Sequence, residues 1–106
     1  MWYCASIVLR SEVKHGRADK VDFEERFVLL QGYDLVEAKE AALMLGKRMA
    51  HSYENIGGES VQWEFVRVGR ICEIVDDDLA PGTEVFFRTV GREEAEGPGG
   101  DQPEDR

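Results

Sequence analysis

The sequence predicts an α+β fold: a four-stranded antiparallel sheet in strand-strand-helix-strand-strand order, with one helix on one face. Three observations predict it. Apolar residues alternate at period two in the first dozen residues, they recur every three or four positions between Asp34 and Ser52, and two further β-rich runs follow a glycine-containing loop.

The first strand is expected over Trp2–Val13, where Tyr3, Ala5, Ile7 and Leu9 share one face. Lys14–Lys20 is polar, contains one glycine and is long enough to close a hairpin. The second strand is expected over Val21–Gln31, with Phe23, Glu25, Phe27 and Leu29 on one face and Glu24, Arg26, Val28 and Leu30 on the other. Asp34 followed by Glu37 has the spacing of a helix N-cap. From there Leu35, Ala38, Ala42, Leu45 and Met49 form an apolar stripe, so a helix is expected to run to about Ser52. Tyr53–Ser60 reads as a loop. Val61–Val75 reads as a long third strand, bulged or bent at Gly69, with Trp63 and Phe65 on one face and Val66 and Val68 on the other. Asp76–Gly82 supplies a turn and Thr83–Val90 the fourth strand, which would place Phe86 and Phe87 on opposite sides of the sheet.

The chain has 106 residues, which suits one domain, and residues 1–90 carry all of its core-forming side chains. Residues 91–106 hold six acidic and two basic side chains with no aromatic or large aliphatic residue, so they are expected to be a disordered acidic tail. A formal net charge of −9 repels the phosphate backbone and anionic membrane surfaces, which excludes nucleic acid and membrane as expected partners. No run is apolar enough to span a bilayer and no signal-peptide pattern opens the chain, so a cytoplasmic protein is expected.

Chemistry is sparsely written. Cys4 and Cys72 lack the spacing of a zinc or redox motif and are expected to be small buried residues. His15 and His51 have no sequence-local partner. Asp76–Asp78 lacks the ligand spacing of a calcium loop, and no nucleotide, esterase or zinc-hydrolase motif occurs. Neither metal nor cofactor is therefore expected. A carboxylate group of Glu25, Glu64 and Glu84 would serve general acid-base work if the sheet brought them together. Cross-strand ion pairs with Arg26, Arg67 or Arg88 are the plainer reading of the same residues.

Four segments carry a family resemblance: Trp-Tyr-Cys-Ala at residues 2–5, the Glu24-Glu25 pair, Ser52–Val68 (SYENIGGESVQWEFVRV) and Gly82–Arg88 (GTEVFFR). Together they resemble a bacterial family described only as domain of unknown function 4288, over essentially residues 1–90. That resemblance implies a scaffold and no activity. Its matching positions include Trp2, Tyr3, Glu25, Tyr53, Asn55, Gly58, Glu59, Trp63, Glu64 and Phe65.

One helix covers one sheet face, while the aromatic side chains fall on both. The second face is thus left for a second copy of the chain, another partner, or the chain's own loops and tail. The expected function is a non-enzymatic binding module, for instance an inhibitor or immunity protein against a basic partner, acting through the open face or the 53–59 loop. Alternatives are a small-molecule-binding dimer and a small carboxylate enzyme. The candidate contact residues are Trp2, Tyr53, Asn55, Glu59, Trp63, Glu64 and Phe86.

Overall fold

The computed structural model describes residues 1–15, 18–76 and 78–97, with side chains at all of these except 15, 18 and 19. Its elements are β1 (Trp2–His15), β2 (Ala18–Gln31), α1 (Leu35–Arg48), β3 (His51–Glu54), β4 (Ser60–Ile74) and α2 (Arg92–Glu96). The four strands form one antiparallel sheet in the spatial order β2-β1-β4-β3. The α+β class and the strand-strand-helix-strand-strand order are both realised.

β1 lies inside the sheet, and one of its faces is apolar from Tyr3 to Leu9. Tyr3, Ala5, Ile7 and Leu9 are at most 3% exposed, and α1 packs over them. The helix buries its smallest side chains, Ala38, Ala42 and Gly46, spaced four apart on one face. A Cβ added to Gly46 would lie 2.6 Å from Cδ1 of Phe65, so the glycine sets how closely the helix approaches β4. Leu45 and Met49 pack at the margin of this core, and Leu35 remains exposed.

The N-cap forms as its spacing predicts. Asp34 Oδ1 accepts from the Glu37 amide at 2.9 Å, and Glu37 Oε1 accepts from the Tyr33 amide at 3.0 Å. Two otherwise orphaned donors are satisfied reciprocally. Asp34→Ala is expected to lower the unfolding free energy by about 1 kcal/mol, read as a shift of the urea midpoint with an unchanged slope.

Three expectations are corrected. The helix ends at Arg48, not near Ser52, because Met49 caps it with its amide on Leu45 and Gly46. The expected helix end and the start of the expected loop form instead a strand of the sheet, β3: His51–Glu54 pairs with Ser60–Trp63, Tyr53 lying opposite Val61. Only Asn55–Glu59 is a turn, and Gly58 supplies its positive φ of 79°. Conversely, residues 83–90 form no strand. Gly82, with φ of 93°, turns the chain over the second sheet face, where Phe86 meets Phe27 at 4.9 Å between centroids. The sheet face offers the aromatic side chains an apolar contact that needs no ladder.

β4 carries two bulges where one was expected. Ala5 pairs with Ile71 but Ile7 with Val68, and Val8 pairs with Arg67 but Leu9 with Phe65. Each shift inserts one extra residue, near Gly69 and at Val66. The extra residue at Val66 puts Val68 on the face of Trp63 and Phe65, opposite to the simple alternation, and the one near Gly69 restores the original phase, so that Ile71 shares that face as well. Ser6, fully buried on β1, accepts the Arg70 amide at 2.8 Å and so satisfies a donor that the bulge removes from the ladder. The expected acidic tail opens with the short helix α2, and its residues 98–106 lie outside the described part. Asp77, within the expected turn, lies outside it as well.

Candidate functional site

The face of the sheet away from α1 divides into a covered and an open half. At the start of β1, Cys4 and Ile74 are buried, and the segment Glu84–Phe87 lies against Cys72 and Val75 around a cavity of about 180 Å3. Toward β2 the same face opens, with Phe27, in contact with Phe86, at the boundary. Val21, Phe23, Phe27 and Leu29 are 41–64% exposed on a strand that has no second ladder neighbour among the described residues. β2 is 14 residues long, and apart from Glu25 the stripe from Val21 to Leu29 is an apolar face on an edge of the kind folded proteins usually shield.

The residues singled out from sequence fall into three places. Trp2 and Phe86 lie at the covered end of the second face, Trp2 at the start of β1 opposite Gln31 and Ile74. Glu64 is also on that face but further along, paired with Arg10 at 3.5 Å. Arg10 in turn contacts Glu12 at 3.1 Å. Trp63 is on the helix face, opposite Ser11, nine positions along β1 from Trp2 and hence roughly 30 Å away. Arg26 reaches over its ring at 4.6 Å, steadied by Glu24 at 3.0 Å. Beside Trp63 on β3, Tyr53 stacks on His51 at 5.6 Å.

Asn55 and Glu59 hold each other. Asn55 Nδ2 donates to Glu59 Oε1, the Glu59 amide donates to Asn55 Oδ1, and the Asn55 amide donates to the Glu59 carbonyl, each at 2.9 Å. Their spacing therefore reads as turn architecture, with Ile56 fully exposed at the tip. The three carboxylates do not converge. Glu64 takes an arginine on β1 rather than Arg26, Arg67 or Arg88. Glu84 lines the cavity beside Cys72 and Asp76, at the opposite end of β4 from Glu64. Arg88 instead donates to Glu94 at 2.8 Å, which holds that carboxyl below its ordinary range.

Two features escaped sequence reasoning. The exposed stripe of β2 was visible as a strand face, but only its position at the sheet edge makes it a surface. The cysteines, far apart in sequence, lie directly opposite each other on β1 and β4. Both are free. Burial, and secondarily the neighbouring Cys72, push the Cys4 thiol above its ordinary pKa. The Tyr3 phenol is pushed up as well, by burial first and then by Glu73, Asp34 and Glu37. Among the described residues no group of three or more histidines, cysteines and carboxylates is placed to hold a metal ion, and no helix is long and apolar enough to cross a membrane.

Neither a curated protein nor a solved structure matches the chain. A family model does, over residues 2–87, a span that takes in all four strands, α1 and the segment crossing the second face but stops short of α2. Its extent coincides with the packed unit described above, and the chain belongs to the family described as domain of unknown function DUF4288.

Proposed function

We propose that the chain is a non-enzymatic interaction module that recognises protein through the open half of its second sheet face, and that its first partner is a second copy of itself joined along β2. The exposed stripe Val21, Phe23, Phe27 and Leu29 on an unpaired edge carries this reading. Edge strands invite pairing through their free amides and carbonyls, and an apolar stripe adds burial to those hydrogen bonds.

The β2 sequence is self-complementary in one antiparallel register, with Glu25 on the two-fold axis. Phe23 would then face Phe27 of the second copy and Val21 would face Leu29, twice over by symmetry. On the other side of the ladder, Glu24 would face Arg26 of the second copy. The one like-charge contact is Glu25 against itself. A Cβ built on Gly69, two strands inward, would lie 3.3 Å from Glu25 Oε2, so this carboxylate leans away from the edge.

Light scattering over a dilution series of the full chain tests the reading. A dimer that dissociates on dilution is expected, and Phe23→Asp, at a side chain 64% exposed and outside the core, should weaken it at least about tenfold with the circular dichroism spectrum unchanged. A monomer at every concentration, or a dimer indifferent to Phe23→Asp, would overturn self-association along β2. The net charge of −9 favours a second reading, an inhibitor or immunity-type module whose open face takes a basic protein. That reading predicts association with a cationic partner that salt weakens and Phe23→Asp also impairs.

A further inference from the structure

We propose that Cys4 and Cys72 are a thiol-disulfide site, closed into a reversible cross-strand disulfide by exchange with a small aliphatic disulfide, neutral or cationic in preference to anionic. The inference is independent of self-association along β2.

Register carries it. Residues directly opposite in an antiparallel pair have Cα atoms about 4.5–5.5 Å apart and side chains on the same face, and that separation lies inside the roughly 4.4–6.8 Å that a disulfide spans. The alignment is made by the bulges of β4. Extended from the far end, where Val13 pairs with Val61 and Lys14 with Ser60, an unbroken register would set Cys4 opposite Arg70. The extra residues at Val66 and near Gly69 advance β4 by two and bring Cys72 there instead.

The two thiols are unequally placed, which orders the exchange. Cys72 is half-buried in the wall of the cavity beneath Phe86 and Phe87, whereas Cys4 is only 4% exposed. The Cys72 thiolate attacks one sulfur of the small disulfide, forming a mixed disulfide and expelling one small thiolate. Cys4, once deprotonated, attacks the Cys72 sulfur, forms the internal bond and expels the second small thiolate. Two protein thiols give up two protons and two electrons, and one small disulfide becomes two small thiols. Burial raises the Cys4 thiol, which suits it to the second, intramolecular step rather than the first. Asp76 and Glu84 rim the cavity and set the charge preference of the incoming disulfide.

The test uses the folded full chain and cystamine, with the products alkylated after denaturation and weighed intact. The expected end product is about 2 Da lighter than the reduced chain, takes up no alkylating agent and carries no cystamine half. Cys4→Ser should stop at the mixed disulfide on Cys72, and Cys72→Ser should stay unmodified while folded. The same exchange in denaturant, where the cysteines lose their register, should close the internal bond at least about tenfold more slowly. Wild-type chain that keeps two free thiols, that stops at a mixed disulfide, or that closes as fast when unfolded would overturn the proposal. Cystamine reacting no faster than oxidised glutathione at low salt would overturn the charge preference.

Discussion

Leu9→Ala is expected to lower the unfolding free energy by about 2–5 kcal/mol, a large fraction of the roughly 5–15 kcal/mol that a domain of this size holds in total. Leu9 is 0% exposed on the central strand, paired with Glu24 on one side and Phe65 on the other. Removing three heavy atoms there forfeits their transfer free energy and leaves a cavity. The site can collapse little, because β1 is held in ladders on both edges and the bulge at Val66 adjoins it. Ile7, equally buried one step along the same face, belongs to the same range. Val36, 66% exposed on the outer face of α1, is the control: truncation to alanine there should change stability by less than about 0.5 kcal/mol. Urea unfolding of the three variants makes the measurement. A loss below about 1 kcal/mol at Leu9 would place it outside the core.

That ranking follows from a pattern already visible in the unfolded string. Tyr3, Ala5, Ile7 and Leu9 alternate cleanly, and Asp34 with Glu37 marks a helix start, because a half-buried strand and a helix terminus each impose a local rule on the residues that form them. β3 was illegible because four residues flanking a turn carry too little alternation to outvote the Gly57-Gly58 pair. Residues 83–90 misled for the converse reason. Valine and two phenylalanines describe a segment that wants an apolar surface, and a sheet face satisfies that want as well as a ladder does. Among the contact candidates, Asn55 and Glu59 prove to be partners of each other, while Trp63 and Trp2 separate onto opposite faces. The cysteine pair and the edge position of β2 depend on register and strand order, which are long-range facts that no window of sequence holds.

The bulge that sets this register can be tested at the two residues that make it. Gly69 does not have positive φ, so alanine meets no conformational objection there, and the lower backbone entropy of the unfolded alanine chain would by itself favour the variant by about 0.4–1 kcal/mol. Contact decides the opposite sign. A Cβ on Gly69 would collide with Ser6 Oγ, which is fully buried and accepts the Arg70 amide at 2.8 Å. Displacing that hydroxyl leaves the part-buried Arg70 amide without its partner, so Gly69→Ala is expected to lose about 1 kcal/mol net. Ser6→Ala removes the same acceptor and should cost a similar amount, but it also vacates the volume that the new methyl needs. The double variant should therefore lose less than the sum of the two, by at least about 1 kcal/mol in a double-mutant cycle read from urea midpoints. Strictly additive losses would mean that Ser6 and Gly69 do not share this contact. Where the cycle shows coupling, Gly69→Ala should also slow closure of the Cys4–Cys72 bond, because the residue that β4 gains at this bulge is one of the two that bring Cys72 opposite Cys4.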